Sequence, residues 1–209
     1  MPIEVVPATV DQQPMLANLL ELYAYDFSEF LDLEMGPDGR FGYPHLHLYW
    51  LEPGRYPFVI KSDARVAGLV LVNKTSATTG NPAAWDIAEF FILRGYRRQG
   101  MGTVSAHRVW ESFPGPWQLR VMESNQAGFH FWQHAISRFT GKPAEPLRVE
   151  KNGKVWWLFC FESQRRVGPG QAAADASALR EAVSPDGPAI LPSQSASARP
   201  GRRREPGRS

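Results

Sequence analysis

Phe90-Phe91-Ile92-Leu93, followed after a short link by Arg97-Arg98-Gln99-Gly100-Met101-Gly102, reads as a strand, a basic tight turn and a helix start, in that order. Such a junction builds an anion cradle. Glycines let a backbone approach a ligand and adopt dihedrals that a side chain forbids. The unpaired N–H groups of a first helical turn point outward, and the helix dipole adds partial positive charge. Arg97 and Arg98 bring full charges suited to phosphate oxygens. The ligand chemistry this predicts is a diphosphate.

Working outward, Leu119-Arg120-Val121-Met122-Glu123-Ser124-Asn125 forms a second strand-to-helix junction, opening a helix from Gln126 to Phe139. Upstream, Ile3 to Val6 is a strand candidate. Thr9-Val10-Asp11-Gln12 has capping-box spacing before a helix with Leu16, Leu19, Leu20 and Tyr23 on one face. Residues 32–44 read as a loop and Leu46 to Leu51 as a short helix. Phe58-Val59-Ile60 and Val66 to Val72 flank the turn Ser62-Asp63-Ala64-Arg65, and a further strand runs from Trp85 to Leu93. Downstream, Pro114-Gly115-Pro116 stops the helix that follows the glycine turn, and Trp117 to Met122 is a strand. A closing hairpin, Leu147 to Val149 and Val155 to Phe161, turns at Asn152-Gly153. The predicted order is β-α-α-β-β-β-α-β-α-β-β, without internal repeats.

Glycine turn, Asn125 junction and element order together resemble the GNAT superfamily of acyl-CoA N-acyltransferases over residues 3–163, most closely over 86–139. The resemblance implies an α/β fold in which helices flank a mixed, twisted sheet of about six to seven strands. It implies an enzyme, an acetyltransferase that moves an acetyl group from acetyl-CoA to a primary amine by direct attack on the thioester. The cofactor pyrophosphate would lie on Arg97, Arg98, Gln99, Gly100, Met101, Gly102 and Thr103, the pantetheine arm along the backbone of Phe90, Phe91 and Ile92, and Asn125 would reach the cofactor. Pairing with pantetheine requires a splayed strand, usually through a bulge, because a complete ladder has no free donors. Glu89 is the expected catalytic base and Asp86 the second choice, although charged strand residues commonly just face solvent. Asn125 equally suits a plain N-cap.

Two positions depart from the family pattern. Arg94 stands where a proline is frequent. Trp132 stands where the family commonly has the tyrosine that protonates the leaving thiolate. It joins Gly128, Phe131, Ala135 and Phe139 in an apolar helical stripe, so a core role is expected. Tyr96, water or unassisted departure would then serve. His130 and His134 lie one turn apart without a third ligand, and no metal is expected. His45, His47, Tyr25 and Asp26 are candidates for touching the acceptor, a small-molecule or peptide amine.

Length and composition frame this reading. The 209 residues suit one domain with a remainder, and from Gln164 onward Ala, Pro, Gly, Ser and Arg dominate. Residues 1–163 are therefore taken as the acetyltransferase domain and 164–209 as a disordered tail that lacks apolar surface to offset its ordering entropy. The tail holds 8 Arg against 4 acidic residues; the rest holds 15 basic and 17 acidic. Nucleic acid is not the expected partner, and a homodimer is compatible with the pattern. Lone Cys160 points to a reducing compartment, and no apolar run reaches membrane-spanning length, so a cytoplasmic protein is expected. Two rival functions keep parts of this pattern. A Rossmann dinucleotide site fails at Ser105, where a third glycine belongs. A non-catalytic CoA-binding or regulatory module keeps the cradle and discards the chemistry.

Overall fold

A computed structural model describes residues 2–164, so the segment 164–209 lies outside the described residues apart from Gln164. The strands are β1 (Ile3–Pro7), β2 (Arg55–Ser62), β3 (Arg65–Lys74), β4 (Trp85–Ile92), β5 (Gly115–Met122), β6 (Leu147–Lys151) and β7 (Lys154–Ser163); the helices are α1 (Gln13–Phe27), α2 (Leu48–Leu51), α3 (Met101–Ser112) and α4 (Gln126–Thr140). Their order along the chain is the one expected. The strands form one seven-stranded sheet, β1-β2-β3-β4-β5-β7-β6, antiparallel except where β4 meets β5.

Local chemistry moves two boundaries. The capping box, with Gln12 Oε1 accepting from Thr9 N at 3.1 Å, opens a 3-10 turn over Val10–Gln12, and α1 begins only at Gln13. β5 begins at Gly115, inside the segment expected to be a pure stop. Pro57 sits within β2, opposite Leu71 of β3 but level with the end of β1, where a missing N–H costs no ladder bond to β1.

Alternation along the strands gives the sheet two apolar faces. On one, α3 and α4 bury Val109, Trp110, Trp132 and Ile136 against Val70, Trp117, Leu119 and Phe159. On the other, Leu16, Leu19 and Leu20 of α1 and Tyr49 of α2 cover Val59, Leu69, Leu71 and Phe91. Trp110 lies edge-on to Phe139 at 5.1 Å and to Phe161 at 4.8 Å. Each such pair contributes about 0.5–1.5 kcal/mol beyond its burial.

The parallel junction at the centre of the sheet is short. β4 and β5 pair only at Trp85↔Trp117 and Asp86↔Gln118. Beyond that point β4 keeps its ladder to β3 as far as Ile92, and β5 keeps its ladder to β7 as far as Met122. Their inner edges therefore part. A bulge lies at the parting: Val72 faces Ile87 and Leu71 faces Glu89, leaving Ala88 as the extra residue on β4. Such an insertion bends a strand and raises its twist.

Candidate active site

The glycine turn closes the mouth of this cleft. After a 3-10 turn at Arg94–Tyr96, Arg98 takes a left-handed φ of 61° and Gly100 one of 77°. Gly100 is the N-cap of α3 and has no side chain to cap it. Val104 N, bonding Gly100 O at 3.1 Å, makes the first helical bond, which leaves the N–H groups of Met101, Gly102 and Thr103 without intrahelical acceptors. Arg97 does not serve as a free cation. Its Nη2 meets Asp26 Oδ2 at 2.5 Å and its Nε donates to Ile92 O at 2.7 Å, while Arg94 takes Asp26 Oδ1 at 2.6 Å. Burial works to raise the Asp26 pKa, but the two arginines outweigh it and hold the carboxyl below its usual range. The turn is thereby braced to the end of α1. Of the two guanidinium groups expected at a phosphate, only that of Arg98 is exposed without an ion pair among the described residues.

Gly102 owes its smallness to packing. A Cβ there would come within 2.9 Å of Phe131, which stacks on Phe90 with centroids 5.7 Å apart. Along β4, Leu93 N donates to Ala67 O of β3, whereas Ile92 O turns away to Arg97. Peptide groups alternate along a strand, so Phe91 directs its amide toward β3, and Phe90 and Ile92 direct theirs into the cleft. Across the cleft, Asn125 caps α4: its Oδ1 accepts from Gly128 N at 2.8 Å, leaving only the side-chain amide N–H free for other use. Trp132 is 8% exposed and packs edge-on against Phe90 at 5.0 Å, in the core.

Glu89 lies on the opposite face of the sheet, among tyrosines. Tyr43 donates to Glu89 Oε1 at 3.1 Å, and Tyr23 of α1 is also a hydrogen-bond partner of the carboxylate. Desolvation pushes the Glu89 pKa above the usual range, against the hydrogen bonds of Tyr23 and Tyr43 and the charge of Arg120. Burial and the Glu89 charge raise Tyr43 far above an ordinary phenol, and Tyr49 to about 12. Asp86, the second candidate base, is 1% exposed and accepts from Ala77 N at 2.8 Å. It ties down the loop after β3 and lies 3.7 Å from Arg120. His45, His47 and Tyr25 are exposed, and Asp26 is spent on the arginines.

The fold is shared with solved acetyltransferase structures. An acetyltransferase from Thermus thermophilus is 13% identical and superposes with a TM-score of 0.56 over 78% of this chain and 97% of that one. The GNAT domain of PAT from S. lividans is 16% identical, with a TM-score of 0.54 over 77% and 90%. PaiA N-acetyltransferase from Thermoplasma acidophilum, solved in complex with coenzyme A, is 10% identical, with a TM-score of 0.53 over 78% and 99%. The chain has the GNAT fold. The sequence itself matches no protein-family model and no curated protein.

Within the GNAT fold, Phe90 and Ile92 lie on the parted stretch of β4, Met101, Gly102 and Thr103 in the first turn of α3 and Asn125 at the start of α4, while Glu89 lies on the other face beside Tyr43. Sequence reasoning missed Tyr43, Arg120 and the partnership of Tyr23 with Glu89. Tyr23 had a signal, because it continues the buried stripe of α1 by one turn. Tyr43 had none: its loop is held by Glu21, which accepts from Phe41 N at 2.8 Å and from Gly42 N at 3.0 Å.

Proposed function

We propose that this protein is an acyl-CoA N-acyltransferase that moves an acetyl group to a primary amine. The observation that carries the reading is the continuity of the parted β4 edge with the uncapped first turn of α3, since both present donors with no acceptor among the described residues. These donors fit an extended amide-bearing arm ending in a diphosphate. Backbone N–H groups of Met101, Gly102 and Thr103, with the Arg98 side chain, would hold the diphosphate. Phe90 and Ile92 would pair with the arm, and the Asn125 amide would reach it. Phe91 contributes through its neighbours' register. Gln99 and Gly100 shape the turn, and Arg97 braces it. Bound there, acetyl-CoA supplies a thioester carbonyl open to direct attack by an amine.

The chain's own residues do the rest. Glu89 takes the proton that the amine must lose, and its raised pKa makes it a stronger base than an ordinary carboxylate. Tyr23 and Tyr43 orient its carboxylate. Peptide N–H groups of Phe90 and Ile92 are the donors nearest the charge that develops on the carbonyl oxygen. Trp132, an indole in the core, is no acid, so the thiolate leaves with water or unassisted. The same residue favours the second reading, a CoA-binding module without chemistry.

Thiol release from acetyl-CoA across a broad amine panel tests both. Release above the background of the Glu89→Gln variant supports the enzyme, and CoA-dependent thermal stabilisation without release supports the module. Arg98→Glu is the control for the cradle, because Gly102→Glu would collide with Phe131. We extend the reading to a catalytic domain of residues 1–163 with a separate basic segment, 164–209. A cytoplasmic setting goes with the free thiol of Cys160.

A further inference from the structure

Arg120 stands on the Glu89 side of the sheet, past the last β4–β5 pair. Leu119 and Val121 point into the core under α3 and α4, so Arg120 emerges on the other face, opposite Leu158. Its guanidinium lies 5.5 Å over the ring of Trp156. The nearest carboxylate is Asp86, with Nη1 to Oδ2 at 3.7 Å, and the Arg120 side chain remains 30% exposed. Arginines of this protein that serve as simple counter-ions close to hydrogen-bond distance: Arg94 on Asp26 at 2.6 Å and Arg148 on Glu123 at 2.8 Å. Arg120 does not. Among the described residues it makes no hydrogen bond, although indole and carboxylate lie beside it. Its charge nevertheless acts on Glu89. A planar fork with unspent donors suits a carboxylate.

We infer that the acceptor is an amine that also bears a carboxylate, as a free amino acid does, and that Arg120 binds this carboxylate while Glu89 receives the amine. The inference rests on the acyltransferase reading and narrows its substrate class. A zwitterionic acceptor places its cation at Glu89 and its anion at Arg120, where it takes up guanidinium donors that Asp86 at 3.7 Å leaves without a hydrogen bond. The corresponding amide offers the guanidinium donors no anionic acceptor at hydrogen-bond distance, a defect that sites built to pair a polar group punish strongly.

The test uses the full chain and matched pairs of amino acids with their α-amides, in thiol release and in calorimetry with CoA present. Expected is a kcat/KM for acids about 10-fold or more above that for the amides. Arg120→Gln should erase the ratio by raising KM for the acids, since its effect on Glu89 ionisation falls on acids and amides alike and cancels in the ratio, and Arg120→Lys should restore part of it. Thermal unfolding of both variants checks that the fold survives. Equal use of acids and amides overturns the inference and leaves the acyltransferase reading intact. An equal loss for both in Arg120→Gln assigns the residue to structure and also overturns it. Absence of any thiol release, with no amino-acid binding by calorimetry, overturns both together.

Discussion

As the proposed base, Glu89 is the residue at which function and stability oppose one another. Desolvation raises its folded pKa, so the native state holds the proton more tightly than the unfolded chain does. Stability contributed here is present at acid pH and declines as pH rises through the interval between the two values. Glu89→Gln removes that penalty. The variant should release no thiol above background, yet its Tm should exceed that of the wild type at pH 8, with the gap closing toward pH 4. Differential scanning calorimetry across pH measures it. A general base must be ionised, so on the proposed mechanism the acid limb of kcat/KM should lie above the ordinary carboxylate range. Tyr43→Phe deletes a donor to that ionised form and should move the limb up further, by about one pH unit. An unmoved limb in a pH–rate profile would remove Tyr43 from the site.

At the scale of the element, β3 and its neighbours depend on two positions with opposite preferences. A Cβ on Gly68 would lie 2.0 Å from Phe91 O, on the strand whose far edge forms the cleft. Gly68→Ala should therefore cost about 2–4 kcal/mol, read from urea denaturation, and weaken CoA binding as well. In the β2–β3 turn, Asp63 and Ala64 adopt φ of 49° and 64°, the left-handed pair that Asn152 and Gly153 adopt at the other hairpin. Ala64 lacks the freedom glycine has there. Ala64→Gly should stabilise by about 0.5–1 kcal/mol. These effects differ in sign because one site lacks space and the other lacks backbone latitude.

For the molecule as a whole, both apolar cores and every proposed contact lie within residues 2–164. A chain ending at Gln164 should unfold at the same temperature as the full chain and bind CoA equally well. Thermal scans with and without CoA decide it, and a lower Tm would place part of the stabilising core after residue 164. A ligand lodged between the parted strands would link the β1–β4 half of the sheet to the half formed by β5, β7 and β6. CoA should therefore raise Tm, by an amount that grows with the logarithm of its concentration.

The order of elements, the glycine turn and the N-cap at Asn125 were legible in the chain because each depends on neighbours within a few residues. Periodicity, turn chemistry and capping are local. The side of the sheet that Glu89 occupies was not legible: simple alternation from Ile87 puts it on the α3/α4 face, and the extra residue Ala88 turns it to the other. Arg97 and the Asp26 that engages it are 71 positions apart, and Tyr43 and Glu89 are 46 apart. Arg120 and Asp86 likewise come from separate strands. Local sequence carries no record of such meetings. They are decided when the sheet closes and sets its two halves apart, because only then do burial and charge from distant segments act on the same few atoms.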